Sequence, residues 1–136
     1  MADICKEGYI LWTHVTSPLI RPDVYEKAIQ SFLNQNDYDS LMSVNRIKKL
    51  CWYEGKALNY STHPEKWPPT QSCTPIEEID CGIFICDRSI YVEDVDRVGK
   101  KPLLYHINPI LAIDIDTHEE FLTAEALYPI SYKLKH

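Results

Sequence analysis

Ile110-Leu111-Ala112-Ile113-Asp114-Ile115-Asp116-Thr117-His118-Glu119-Glu120-Phe121 joins an apolar run to a helix-start signal, with two carboxylates at the junction. Read as a strand, the run 110–115 places residues i and i+2 on one face, so Asp114 and Asp116 aim two carboxylates at one point. Hard divalent cations such as Mg²⁺ take oxygen ligands and are held by one or two carboxylates together with substrate phosphates. A strand end of this kind is a seat for nucleotide chemistry. A second reading stands beside it. Asp116-x-x-Glu119 and Thr117-x-x-Glu120 both fit a helix capping pattern, and an Asp at an N-cap requires no metal.

Working outward, the chain alternates strand and helix signals. Gly8 to Thr16 (GYILWTHVT) reads as a buried strand ended by Ser17-Pro18. Pro22 and Asp23 open a helix over 22–35, with Val24, Ala28, Ile29, Phe32 and Leu33 at helical spacing. A turn at 34–39 leads to a strand from Ser40 through Val44 toward Arg46. Leu50 to Tyr60 reads as a hairpin around Glu54-Gly55-Lys56, and residues 61–75, with Pro64, Pro68, Pro69 and Pro75, as an irregular loop. Ile79–Cys86 and Leu103–Ile107 are further strands, 87–95 a short helix or turn, and a last helix spans about 119–128. The pattern predicts an α/β domain over residues 1–136 with a mostly parallel, mixed sheet and an excursion at 50–76.

Composition narrows the function classes. The chain has 136 residues, 45% hydrophobic and 25% charged, which suits one soluble globular domain. A net charge of −6 argues against a nucleic-acid partner, since phosphate affinity comes from clustered Lys and Arg. No apolar run is long enough to span a bilayer, and the polar stretch 1–8 does not read as a signal peptide, so no membrane partner and a cytoplasmic location are expected. Cysteines at 5, 51, 73, 81 and 86 lack Cys-x-x-Cys spacing and read as reduced thiols. Cys81 and Cys86, at an odd offset on one strand, should face opposite sides.

Five segments in order resemble one family. Leu11-Trp12-Thr13-His14-Val15-Thr16-Ser17-Pro18 is similar to the strand and Thr-Ser-Pro turn of acylneuraminate cytidylyltransferases, the CMP-sialic acid synthetase type. Tyr38-Asp39-Ser40-Leu41-Met42-Ser43-Val44 resembles their next strand. Lys66-Trp67-Pro68-Pro69-Thr70-Gln71 lies where the family has an Arg-rich, Gln-Asp loop. Asp80-Cys81-Gly82-Ile83-Phe84-Ile85 resembles its Asn-Gly-Ala-Ile-Tyr-Ile strand. Ile113-Asp114-Ile115-Asp116-Thr117, with Glu120-Phe121 and Ala124-Glu125, resembles its closing motif.

The resemblance implies a Rossmann-like, three-layer nucleotidyltransferase fold and a transferase that joins CTP to a nonulosonic sugar acid, releasing pyrophosphate. It makes Asp114 and Asp116 the catalytic pair that holds Mg²⁺. It makes His14, Thr16, Ser17, Gln71 and Gly82 substrate-binding. His14 stands where the family often has a sugar-contacting Gln, and an imidazole can make such a bond or one to a backbone carbonyl. Thr16 and Ser17 equally suit a turn, Gly82 close packing, and Gln71 an exposed loop. Residues 50–76 become a dimerisation segment with Trp52, Tyr53 and Trp67 as contact candidates. A homo-oligomer is expected because the domain's open sheet edges need cover.

Two departures qualify this. The resemblance starts at a middle strand, so the domain is expected to be N-terminally truncated, without the basic nucleotide loop on which activity depends. The loop arginines are replaced by Pro68 and Pro69 and the loop Asp by Ser72, which leaves the sugar's identity open. The alternative is a non-catalytic remnant or interaction module that keeps the second half of the fold.

Overall fold

The computed structural model describes residues 6–134; Cys5 and the first residues of the polar N-terminal stretch lie outside them. The elements are β1 (Tyr9–Trp12), α1 (Pro22–Leu33), β2 (Ser40–Ile47), β3 (Trp52–Tyr53), β4 (Lys56–Ala57), β5 (Ile76–Asp87), β6 (Pro102–His106) and α2 (His118–Ser131). A 3-10 turn at Thr70–Ser72 and a π-helical turn at Ile90–Asp94 complete them. The chain forms two compact units: residues up to Asn45 together with Ile79 onward, and Arg46–Glu78.

The main sheet has the order β1-β5-β2-β6. β2 and β6 are parallel, Ser40 opposite Pro102 and Val44 opposite His106. β1 is antiparallel to β5, Tyr9 opposite Asp87 and Trp12 opposite Phe84. The fold is therefore mixed α/β, with a sheet that carries both a parallel and an antiparallel pair. α1 connects β1 to β2, but β5 inserts between those strands and meets β1 head to tail. β1 also stops at Trp12, four residues short of the expected end. Beyond it the chain turns, with the Ser17 N–H on the His14 carbonyl (3.3 Å) and the Ile20 N–H on that of Ser17 (3.4 Å).

α1 starts as the sequence directs, with Pro22 in its first turn and Asp23 beside it. Val24, Ala28 and Phe32, four residues apart, form its buried stripe. Ile29 and Leu33, expected on that face, are 38% and 54% exposed, so the stripe is narrower than the apolar pattern. The stripe packs with Ile20, Leu41, Ile83, Ile85, Ile107, Leu111 and Ala112 into the core. In the unit 46–78, Trp52 pairs with Ala57 and Tyr53 with Lys56. The turn between them places Glu54 (φ 46°) and Gly55 (φ 79°) in the left-handed region, as two-residue hairpin turns require.

The stretch 110–115 is not a strand. Asn108 caps a turn: its side-chain oxygen accepts from the Ile110 N–H (3.0 Å), and its carbonyl accepts from Leu111 (2.8 Å) and Ala112 (3.2 Å). The turn drives Leu111 and Ala112 into the core. A short apolar run bounded by turn residues does not by its period distinguish a strand from a buried helical turn.

The cap of α2 is Thr117. Its hydroxyl accepts from the Glu120 N–H, and the Glu120 carboxylate returns to the Thr117 N–H (2.8 Å) and also takes the Asp116 N–H (2.9 Å). α2 runs past the expected end through Pro129 to Ser131. Pro129 forfeits one N–H bond, and at the helix end Arg21 donates to the carbonyls of Ser131 and Leu134. Among the described residues no helix is long and apolar enough to cross a membrane.

Asp39 closes the loop before β6. Its carboxylate takes the N–H groups of Lys100 (2.8 Å) and Lys101 (3.1 Å) and the Ser40 hydroxyl (2.9 Å). Burial alone would raise its pKa, but these donors outweigh burial and hold it below the usual carboxylate range. A depressed carboxylate stabilises the fold above its unfolded pKa of about 3.9, and that stabilisation fades as pH falls through the lower folded value. The Tm difference between wild type and Asp39→Asn should thus be constant above about pH 5 and shrink below about pH 4; a pH-independent difference would contradict this. Leu41, fully buried, should cost about 2–5 kcal/mol when cut to Ala, read from urea unfolding.

Candidate active site

The candidate site is built where the exit of β1, the middle of β5 and the segment before α2 meet. The N–H of Ile115, between the two aspartates, donates to the Thr16 carbonyl (2.9 Å). That bond ties the aspartate segment to the loop after β1. From β2 the Ser43 hydroxyl reaches β5, where it donates to Asp80 and accepts from the Ile83 N–H (2.8 Å), while the Gly82 N–H donates to Asp80 Oδ1 (2.9 Å). Between them Cys81 sits at φ 61°, a left-handed conformation costing an L residue about 1–2 kcal/mol. The strict alternation of β5 breaks there: residues 82 to 86 are all buried, whereas Cys81 is half-buried.

Cys81 reports on the charges around it. Burial raises the pKa of its thiol above the ordinary value, Arg97 opposes that rise, and Asp114, Asp80 and Asp116 add to it. All four charged groups therefore lie within electrostatic reach of one sulfur. A raised thiol stays protonated at neutral pH, so Cys81 does not offer the thiolate that a covalent mechanism would need. Cys51, Cys73, Cys81 and Cys86 are all free.

The two aspartates differ in setting. Asp114 is half-buried, and its Oδ1 is sealed from solvent with no hydrogen-bond partner. Asp116 is exposed. Thr117 performs the capping, so the Asp116 carboxylate is not consumed as a helix cap. The strand geometry expected to align the pair is absent, and the Ile115–Thr16 bond fixes the segment instead. A buried carboxylate oxygen without a donor is costly unless a cation meets it, and this orphaned atom fits a hard metal. Among the described residues no group of three or more His, Cys, Asp and Glu converges as a metal cage. A cation at Asp114 Oδ1 would draw its remaining oxygens from phosphates, water and at most one further carboxylate, the usual arrangement for Mg²⁺.

The other sequence candidates divide. His14 lies beyond the end of β1, and its Nε2 is 3.1 Å from Arg97 Nη1. Thr16 contributes its carbonyl to the aspartate segment. Ser17 is 4% exposed with an unpartnered hydroxyl. Gly82 has a packing role, since a Cβ there would collide with Ile20 Cδ1. Gln71 is exposed in the 3-10 turn of the unit 46–78. Trp52, Tyr53 and Trp67 of that unit are also exposed. The sequence reading missed Arg97, Tyr91 and the part played by Trp12. Arg97 sits in a stretch of mixed charge that reads as a solvated turn, and no local signal sets it apart.

Ser43→Ala removes the acceptor of the buried Ile83 N–H and a donor to Asp80. A loss of about 1–3 kcal/mol is expected in denaturant unfolding, and an unchanged midpoint would show that β5 does not depend on this hydroxyl.

No protein-family model and no curated protein sequence matches this chain.

Proposed function

We propose that the site transfers CMP from CTP to a nonulosonic sugar acid, releasing pyrophosphate, with Asp114 and Asp116 as the residues that would hold Mg²⁺. The observation that carries this reading is the buried, unpartnered Oδ1 of Asp114, beside a second carboxylate left free of capping duty. The ordered motif resemblance adds the reaction class. The bound ion would supply charge neutralisation at the phosphates.

The chain's own residues do the remaining work by position. The Ile115 N–H bond to Thr16 keeps both carboxylates on a fixed backbone, which lowers the reorganisation cost when charge develops. The nucleophile is the acceptor's hydroxyl, as the resemblance implies. Its oxygen bonds to the α-phosphorus as the bond to the bridging oxygen of the β-phosphate breaks. Pyrophosphate leaves, and the hydroxyl proton passes to solvent. Such a transfer needs no covalent enzyme intermediate and rests on alignment and electrostatics.

The test has two arms on the full-length protein. Pyrophosphate release from CTP with Mg²⁺ and a panel of nonulosonic acids should fall about 100-fold or more in Asp114→Asn and Asp116→Asn. Mn²⁺ binding, followed by electron paramagnetic resonance, should weaken in the double variant. No turnover with any acid would sink the transfer reading and favour an interaction module, and an unchanged Mn²⁺ titration would remove the metal assignment.

A further inference from the structure

Arg97 follows Val95, a left-handed residue (φ 54°) that turns the chain back over the sheet. Its guanidinium carbon lies 4.4 Å from the Phe84 ring centroid and 6.0 Å from that of Trp12. Its Nη1 is 3.1 Å from His14 Nε2. A guanidinium has donors only, so Nε2 accepts and the ring proton of His14 rests on Nδ1. The planar fork is thus held by aromatic faces and one neutral acceptor. Among the described residues no carboxylate forms an ion pair with it. Asp96, its chain neighbour, turns its carboxylate onto the backbone N–H groups of Arg97 (2.6 Å) and Val98 (3.3 Å).

Arg97 forms one wall of a cavity of ≈ 230 Å³, lined also by Trp12, Tyr91, Val95 and Asp96. The Trp12 and Tyr91 rings stack at 6.2 Å and 29°. The indole Nε1 of Trp12 is buried and has no hydrogen-bond partner. The cavity therefore combines a half-buried cation that no carboxylate pairs with and a flat aromatic wall. It is smaller than the about 300–1,000 Å³ of sites for drug-sized ligands, so it suits one end of a ligand rather than the whole of a large one.

We propose that Arg97, Trp12 and Tyr91 form a subsite for a small organic acid, whose carboxylate meets the Arg97 fork while its apolar face lies on the Trp12–Tyr91 wall. The guanidinium pairs with a carboxylate through two parallel N–H bonds, and its plane is already fixed by Phe84 and His14, so little freedom is lost on binding. Arg97 also meets His14, which lies on the same loop after β1 as Thr16, whose carbonyl takes the Ile115 N–H between the two aspartates. In one respect the proposal rests on the reading above: the acid bound here is the acceptor of the transfer.

Binding is measured by calorimetry on the full-length protein in EDTA, without metal or nucleotide, so that its outcome is separate from that of the transfer assay. The probes are N-acetylneuraminate, its methyl ester, inorganic phosphate and CTP. The acid should bind the wild type at least about 10-fold more tightly than the ester, because the ester keeps the ring and loses the charge. Arg97→Met should weaken the acid by about 10–100-fold and leave the ester unchanged, with Arg97→Lys in between. Tyr91→Ala, which removes half of the stacked wall and keeps the cation, should weaken acid and ester alike by about 2–10-fold. Equal affinity of the wild type for acid and ester would overturn the proposal without recourse to any variant. Tighter binding of phosphate or CTP, lost in Arg97→Met, would also overturn it by assigning the cation to phosphate. Acid binding through Arg97 in a protein that releases no pyrophosphate would support the subsite and remove only its link to transfer.

Discussion

The hydroxyl of Ser43 donates to Asp80 and accepts the N–H of Ile83, so one buried side chain holds both flanks of the left-handed residue Cys81. A strand that kept its pleat through this point would alternate inward and outward residues. Instead, Ile83, Phe84, Ile85 and Cys86 are all buried, and Cys81 is turned toward the charged groups. Gly82 makes the departure fit, because Ile20 occupies the space where its side chain would stand. Phe84, fixed two residues further on, supplies the face on which Arg97 rests. A local backbone cost at Cys81 thus sets the position of the aromatic floor. Left-handed non-glycine residues persist only where neighbours over-determine them, and such residues gather at functional sites.

Legibility in the sequence followed the source of each constraint. α1, β2, β6 and the β3–β4 hairpin rest on local signals: Pro22 with Asp23, the apolar spacing of Val24, Ala28 and Phe32, and Glu54-Gly55 between short β-rich runs. These were readable because near neighbours in the chain decide them. The run 110–115 was not, since an apolar stretch of that length suits a strand and a buried turn equally. The choice lay in Asn108, whose side chain and carbonyl take three N–H groups and wind the chain. The antiparallel pairing of β1 with β5 joins residues far apart in sequence, and no periodicity encodes it.

The candidate site was legible in the same uneven way. Asp114 and Asp116 stand out as a pair, yet the reason they hold together is the Thr16 carbonyl, a backbone atom with no residue signature. Whether Asp116 serves as a helix cap was open on pattern alone. The competition is decided by reach: Glu120 bonds back to the backbone of Thr117 and of Asp116 at once, which completes a reciprocal box centred on Thr117. The two readings of the motif then cease to compete. Helix start and carboxylate pair occupy adjacent residues and use different atoms.

Net charge is a poor guide to what such a site binds. At −6 the chain as a whole repels anions, and screening at physiological salt confines that repulsion to about 8 Å. Within that distance of a ligand only the groups facing it matter. Arg97 is half-buried against Phe84, where its field is less screened than that of a surface Lys, and Asp96 directs its carboxylate to the backbone rather than to the guanidinium. The middle loop carries Pro68 and Pro69 where the family it resembles has arginines. A fork held by two aromatic rings and a histidine nitrogen meets the same chemical need from another part of the fold, because bidentate recognition depends on a fixed guanidinium plane and not on the segment that carries it.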